Sequence, residues 1–171
     1  MPGLIDELVA TMSKENDIYK ELIPIADEKT RVIISNDLEA LQSITDKEQI
    51  TIERINALER KREEVIVNIG TVLSRDPKSL TMKTLIKIMG KQPNEQKRLG
   101  QIHDELSATL QRLVSINDRN KMLIMQSLDM IEFNINLIQS SRMAPGTSNY
   151  TRGASEQQMS QAGTGMFDAR Q

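Results

Sequence analysis

Apolar residues recur at helical spacing along most of the chain, in three long runs and one short one. From Leu4 to Ile34, positions Ile5, Leu8, Met12, Tyr19, Leu22, Ala26 and Ile33 fall on one side of a helix. The turn Ser35-Asn36-Asp37 follows, with Asn36 and Glu39 spaced as a capping box, so a second helix is expected to start there. It runs to about Ile69 through Leu38, Leu41, Ile44, Ile52, Ile55, Leu58, Val65 and Ile69. Thr45 and Glu48 offer a second capping pair inside this run, but the unbroken period favours one helix over a restart at Asp46. Between Gly70 and Pro93, Leu80, Met82, Leu85, Ile86, Ile88 and Met89 describe a short helix, stopped by Gly90, that plugs one end of the bundle.

The last helix, roughly Asn94 to Ser141, carries a seam through Leu99, Ile102, Leu106, Leu110, Leu113, Ile116, Asn120, Leu123, Leu128, Ile131, Ile135 and Ile138. Its second half holds more apolar surface than one seam uses. Met122, Met125, Met130, Phe133 and Leu137 fall largely outside that row and form a second stripe. Methionine is flexible and polarizable, which suits a surface that accepts imperfectly specified partners. At about 1.5 Å per residue the first two helices span roughly 50 Å each and the third roughly 70 Å. About 20 Å of the third helix therefore lacks a full-length neighbour, and an overhang at its C-terminal end would leave the Met and Phe stripe uncovered.

Prolines punctuate this organisation: Pro2 precedes the first helix, Pro77 and Pro93 flank the irregular connection, and Pro145 follows the last helix. Pro24 alone falls inside a periodic run, where it is expected to kink or break the helix at a cost of about 3 kcal/mol.

Composition narrows the class. Two Phe, two Tyr and no Trp leave the core to Leu, Ile, Val and Met, a composition of helix seams rather than of a β-sandwich. The expected fold is all-α, an elongated antiparallel helical bundle or coiled coil of three long helices with one short helix. At 171 residues this makes one domain, 1–142, followed by a tail, 143–171. From Met143 onward there is no Leu, Ile or Val and half of the eight glycines, so the tail is expected to be disordered when free. Tyr150 and Met166-Phe167-Asp168-Ala169-Arg170 are its only anchor candidates.

Charge and chemistry exclude more than they assign. The formal net charge is −2 and cations alternate with anions, which does not make the phosphate-neutralising patch that nucleic acid needs. There is no cysteine, hence no disulfide and no thiolate chemistry. The N-terminus lacks the basic start and apolar block of a secretion signal, and no stretch approaches about 18 uninterrupted apolar residues, so a soluble cytoplasmic protein is expected. His103 is the lone histidine; Asp104 and Glu105 beside it point elsewhere around the helix, so no metal site forms there. Adjacent carboxylates such as Asp6-Glu7 and Glu63-Glu64 fail for the same reason, and nucleophile and phosphate-loop motifs are missing. Neither enzyme activity nor a cofactor is expected.

Several pieces together resemble the FlgN-type flagellar export chaperones: Asp27-Glu28-Lys29-Thr30, Asn36-Asp37-Leu38-Glu39-Ala40-Leu41, Thr45-Asp46-Lys47-Glu48, Asn117-Asp118-Arg119-Asn120 and the tail Met166-Phe167-Asp168-Ala169-Arg170. Their order and spacing over nearly the whole chain carry the resemblance. It implies a cytoplasmic helical chaperone that holds the C-terminal helical segments of hook-filament junction proteins, prevents their premature self-association and delivers them to the flagellar type III export gate. The client helix would lie along Met122, Met125, Met130, Phe133 and Leu137, in a helix-in-groove mode. Docking on the cytoplasmic domain of the export-gate membrane protein through an aromatic residue would fall to Tyr150. A competing reading is a self-associating coiled-coil spacer, a homodimer whose register Asn120 fixes. An amphipathic helix lying on membrane is a weaker third, since residues 120–142 carry few cations, Lys121 and Arg142 among them.

Overall fold

The computed structural model describes residues 2–143. Helix α1 spans Pro2–Ser35, α2 spans Leu38–Leu73, α3 spans Met82–Ile88 and α4 spans Pro93–Met143, with single 3₁₀ turns at Pro77–Ser79 and Met89–Lys91. No strand occurs among the described residues, so the chain is all-α, with three long helices and one short one. The expected tail, including Tyr150 and Met166 to Arg170, lies outside the described residues. Two units are distinguished, Met1–Phe133 and a second beginning at Asn134, and α4 contributes to both.

In the first unit α1 and α2 run antiparallel: Glu15 pairs with Arg62 at 3.0 Å, Glu21 with Arg54 at 2.8 Å and Lys29 with Glu48 further on. Helix α4 runs parallel to α1, because Asp6 meets Arg98 at one end while Thr30 meets Asn120 some six turns on. The helices pack through strict alternating steps of three and four residues. In α1 the row is Ile5, Leu8, Met12, Glu15, Tyr19, Leu22, Ala26, Lys29 and Ile33; in α2 it is Ile44, Glu48, Thr51, Ile55, Leu58, Arg62, Val65 and Ile69. Polar members of one row meet polar members of the other, as in Glu15 with Arg62 and Lys29 with Glu48.

Two cores result. The larger joins Ile5, Leu8, Met12, Val65, Ile69, Leu99 and Ile102 to Leu80, Leu85 and Met89, so the connection after α2 does plug that end of the bundle. The smaller holds Ile18, Leu22, Ala26, Ile55, Leu113 and Ile116.

The element ends depart from expectation in ways that have local causes. Asn36 is not the cap of α2: it takes the left-handed backbone conformation, φ 56°, that ends α1, and Asp37 caps α2 by accepting from the Ala40 amide at 2.9 Å. Thr45 caps nothing, since its hydroxyl donates to the Leu41 carbonyl of the same unbroken helix. Helix α2 passes Ile69 and Gly70 and stops at Leu73, where Ser74 adopts φ 53°. A Cβ on Gly70 would sit 3.0 Å from both the Arg75 carbonyl oxygen and Pro77, so glycine is what lets the returning chain approach. Thr81 caps the short helix, its hydroxyl accepting from the Thr84 amide. Helix α1 continues through Pro24 without a break. Leu38 and Ile52, expected in the α2 seam, are exposed; Thr51 is buried in the place given to Ile52, because the α2 row keeps strict register.

Candidate functional site

Along α4 the buried row is Leu99, Ile102, Leu106, Thr109, Leu113, Ile116 and Asn120, and beyond Asn120 no described residue is buried. The overhang is therefore at the C-terminal side of the seam. Met122, Met125, Met130 and Phe133 are exposed, Phe133 to 65%. Leu137 belongs to the second unit and is exposed there. Leu128, Ile131, Ile135 and Ile138, read from the sequence as a continuation of the buried seam, are exposed as well. The physical reason within the first unit is length: α1 ends at Ser35 and α2 begins at Leu38, so the hairpin that covers α4 turns back at that level.

At about 100° per residue the exposed apolar residues up to Phe133 resolve into two stripes. Met122, Met130 and Phe133 lie on the side of α4 away from the core, with Met125 at the edge of that side where it also lines a groove against α1 and α2, and half-buried Ile124 and exposed Leu128 and Ile131 lie about 180° around from them. The second stripe continues the direction of the buried row after a run of four-residue steps from Ile116 through Asn120 and Ile124 to Leu128. A repeated four-residue step is a stutter, which locally unwinds a coiled coil and rotates the stripe. Leu128 and Ile131, but not Ile124, belong to the seam expected from the sequence.

The boundary between covered and uncovered α4 is polar and specific. The Thr30 hydroxyl donates to Asn120 Oδ1, and Asn120 Nδ2 donates to the Ala26 carbonyl at 2.9 Å. Arg119 reaches Asp27 at 3.6 Å and donates to Thr30 Oγ1 at 3.4 Å. Beside this cluster a groove of about 300 Å³ is lined by Lys29, Glu48, Asn117, Lys121, Ile124 and Met125 among others. Further along, an apolar pocket of about 160 Å³ lies between the α1–α2 turn and Ile124, Leu128 and Ile131.

Titratable groups with displaced equilibria sit elsewhere, in the middle of the α1–α2 seam. Burial pushes the Glu15 carboxyl up from its ordinary range, while Arg62 pulls it down and Glu59 adds to the rise. Its Oε2 is buried with no hydrogen-bond partner. Burial, and then the hydrogen bond it donates to Glu59 at 2.9 Å, push the Tyr19 hydroxyl up to about 12. The Lys61 ammonium, at the surface, is held up by its hydrogen bond to Glu7. Glu15 and Tyr19 face Arg62 and Glu59 across the α1–α2 packing seam, an arrangement that suits them to pairing and register. His103 Nδ1 lies 3.1 Å from the neighbouring Asp104 carboxylate. No group of three metal-ligating side chains gathers among the described residues, and no described helix is long and apolar enough to cross a membrane.

Three long helices and a short one, the last leaving an apolar segment uncovered, form the architecture that the apolar periodicity predicts. A family model described as FlgN protein matches residues 1–158. The chain belongs to the FlgN family. Membership makes it a flagellar export chaperone, one that binds flagellar substrate proteins. The chain is also 25% identical over 121 residues to a Bacillus subtilis (strain 168) protein named Uncharacterized protein YvyG, covering 71% of this chain and 72% of that one. No solved structure matches it.

Proposed function

We propose that this FlgN-family chaperone acts in the cytoplasm, holding the C-terminal helical segments of hook-filament junction proteins along the outer stripe of α4 and delivering them to the export gate. The supporting observation is that Met122, Met125, Met130 and Phe133 are exposed on a helix whose preceding turns bury their apolar row. A client helix laid there removes apolar surface from water at roughly 25 cal/mol per Å², while methionine side chains adjust to clients of differing sequence. Leu137 extends the proposed contact and Tyr150 is the proposed docking residue for the cytoplasmic domain of the export-gate protein.

The test is calorimetric titration of the full chain with peptides from the C-terminal segments of the same organism's hook-filament junction proteins, with circular dichroism followed in parallel. One-to-one binding at micromolar or tighter affinity with a gain of helix is expected, and Phe133→Asp abolishes it while the helical signal of the free protein is retained. A folded Phe133→Asp variant that binds normally would overturn the assignment of the stripe. Absence of binding together with a persistent homodimer in sedimentation would favour the coiled-coil spacer instead.

A further inference from the structure

Among the described residues the two apolar cores share no buried side chain, and a polar layer crossing all three long helices separates them. It holds Glu15 and Asn16 on α1, Arg62 on α2 and Thr109 on α4. Glu15 ties α1 to α2 through Arg62. Asn16 faces α4: it stands seven residues before Ile23 and fourteen before Thr30, which bonds Asn120 of α4, and the parallel register sets it level with α4 residues 106–109. There the polar groups are left to themselves. Asn16 Oδ1 is buried with no hydrogen-bond partner, and the Thr109 hydroxyl donates to the Glu105 carbonyl of its own helix at 3.0 Å.

The grip on α4 changes across this layer. Before it, Leu99, Ile102 and Leu106 are enclosed by α1, α2 and the plug residues Leu80, Leu85 and Met89. Beyond it, Leu113 and Ile116 carry the apolar contact and Asn120 the polar one. Open grooves flank that narrow strip on both sides. One, of about 300 Å³, passes between Ile52 of α2 and Met125; the other, of about 560 Å³, between Pro24 of α1 and Arg112. A buried, unpartnered amide oxygen is also a weak point, because water satisfies it on opening and offsets part of the cost of exposing apolar surface. We infer that α4 is a lever pivoting at the polar layer: residues 110–133 swing away from the α1–α2 hairpin as a unit, while the plug-end part of α4 stays packed. Opening uncovers Leu113 and Ile116 and joins them to the apolar residues exposed from Met122 onward. A helix docking on distal α4 would then capture the open form, which ties its affinity to the opening equilibrium. That consequence rests on the chaperone reading, whereas the lever itself operates in the free chain.

The chain has no cysteine, so single introduced cysteines report on the lever without background. Ile102, Leu106, Leu113 and Ile116 are buried to a similar degree, two on each side of Thr109. Each is replaced by cysteine in the full chain, and alkylation by iodoacetamide is followed under native conditions. Leu113→Cys and Ile116→Cys are expected to react at least about tenfold faster than Ile102→Cys and Leu106→Cys, with a weaker dependence on urea because a local opening exposes less surface. Two sites on each side keep the comparison intact where one variant fails to fold. A plug-end substitution sharpens it. Ile69→Val is expected to speed Ile102→Cys about two- to tenfold and to leave Ile116→Cys unchanged, since the open form keeps Ile69 packed. Equal rates at the four sites, a common urea dependence, or an equal response to Ile69→Val would each overturn the lever and make the bundle one cooperative unit. Client peptides play no part in this measurement, so their failure to bind would remove the chaperone reading and leave the lever standing.

Discussion

One helix, α4, lives in two environments. From Leu99 to Asn120 its apolar row is buried against α1 and α2; from Met122 to Phe133 a denser set of apolar residues is exposed on both sides. Hydrophobicity of the segment does not set its burial, since the more apolar stretch is the less covered. What differs is the neighbour, and the neighbour ends where Asn36 adopts a left-handed conformation and Asp37 caps the next helix. Stability is therefore concentrated in the first stretch, and partner binding is proposed for the second.

Substitutions break this comparison most sharply where packing is complete. Leu99→Ala is expected to lower the unfolding free energy by about 2–5 kcal/mol in denaturant titration, with client affinity unchanged wherever the variant is folded. At the boundary, Asn120→Ala removes the hydrogen bonds to the Thr30 hydroxyl and the Ala26 carbonyl and is expected to cost about 1–3 kcal/mol, detectable as a lower melting temperature. In the uncovered stretch, Phe133→Asp is expected to change stability by no more than about 0.5 kcal/mol while abolishing client binding in calorimetry. A loss of stability there comparable to that of Leu99→Ala would mean that the stripe is covered within the free protein.

The seam contributes a pH-dependent term of its own. Because the folded protein holds the Glu15 carboxyl above its ordinary range, the native state binds a proton more readily than the unfolded chain does. Native stability from this group is then greatest below the ordinary carboxylate range and falls as pH rises through the raised titration. The stability of the natural chain relative to Glu15→Gln is thus expected to decline from pH 4 toward neutrality in parallel denaturation curves, and a difference that grows in the opposite sense would contradict the burial argument.

The three long helices and the plug were legible because apolar periodicity survives wherever leucine and isoleucine hold the row. The polar members of the row were not. Glu15, Lys29, Glu48, Thr51 and Arg62 occupy strict seam positions, and a search for apolar residues passes over them, substituting Ile52 for Thr51. Pairing across helices is what makes these positions tolerable, and pairing is invisible in one chain read in order. The two stripes of distal α4 were half legible: Met122, Met125, Met130 and Phe133 stand apart from the seam in sequence and are exposed, as a C-terminal overhang requires, whereas Leu128 and Ile131 read as seam through Leu123 because steps of three and then five residues pass for ordinary heptad scatter. The pocket against the α1–α2 turn could not be found at all without knowing where the hairpin ends. Tyr150 lies beyond the described residues.

The two-residue connection between α1 and α2 also sets an order of events in time. The hairpin closes through Asn36 and Asp37, whereas the contact of α4 with α1 through Asn120 joins residues 90 positions apart in the chain. Local closure is expected to precede distant closure, because the longer loop loses more entropy before any contact repays it. Ile55→Val is accordingly expected to slow folding, Ile116→Val mainly to hasten unfolding, and Phe133→Asp to leave both rates where they were. The end of the helix proposed to bind clients would then be a passenger in folding, free to vary in sequence without changing how fast the chaperone forms.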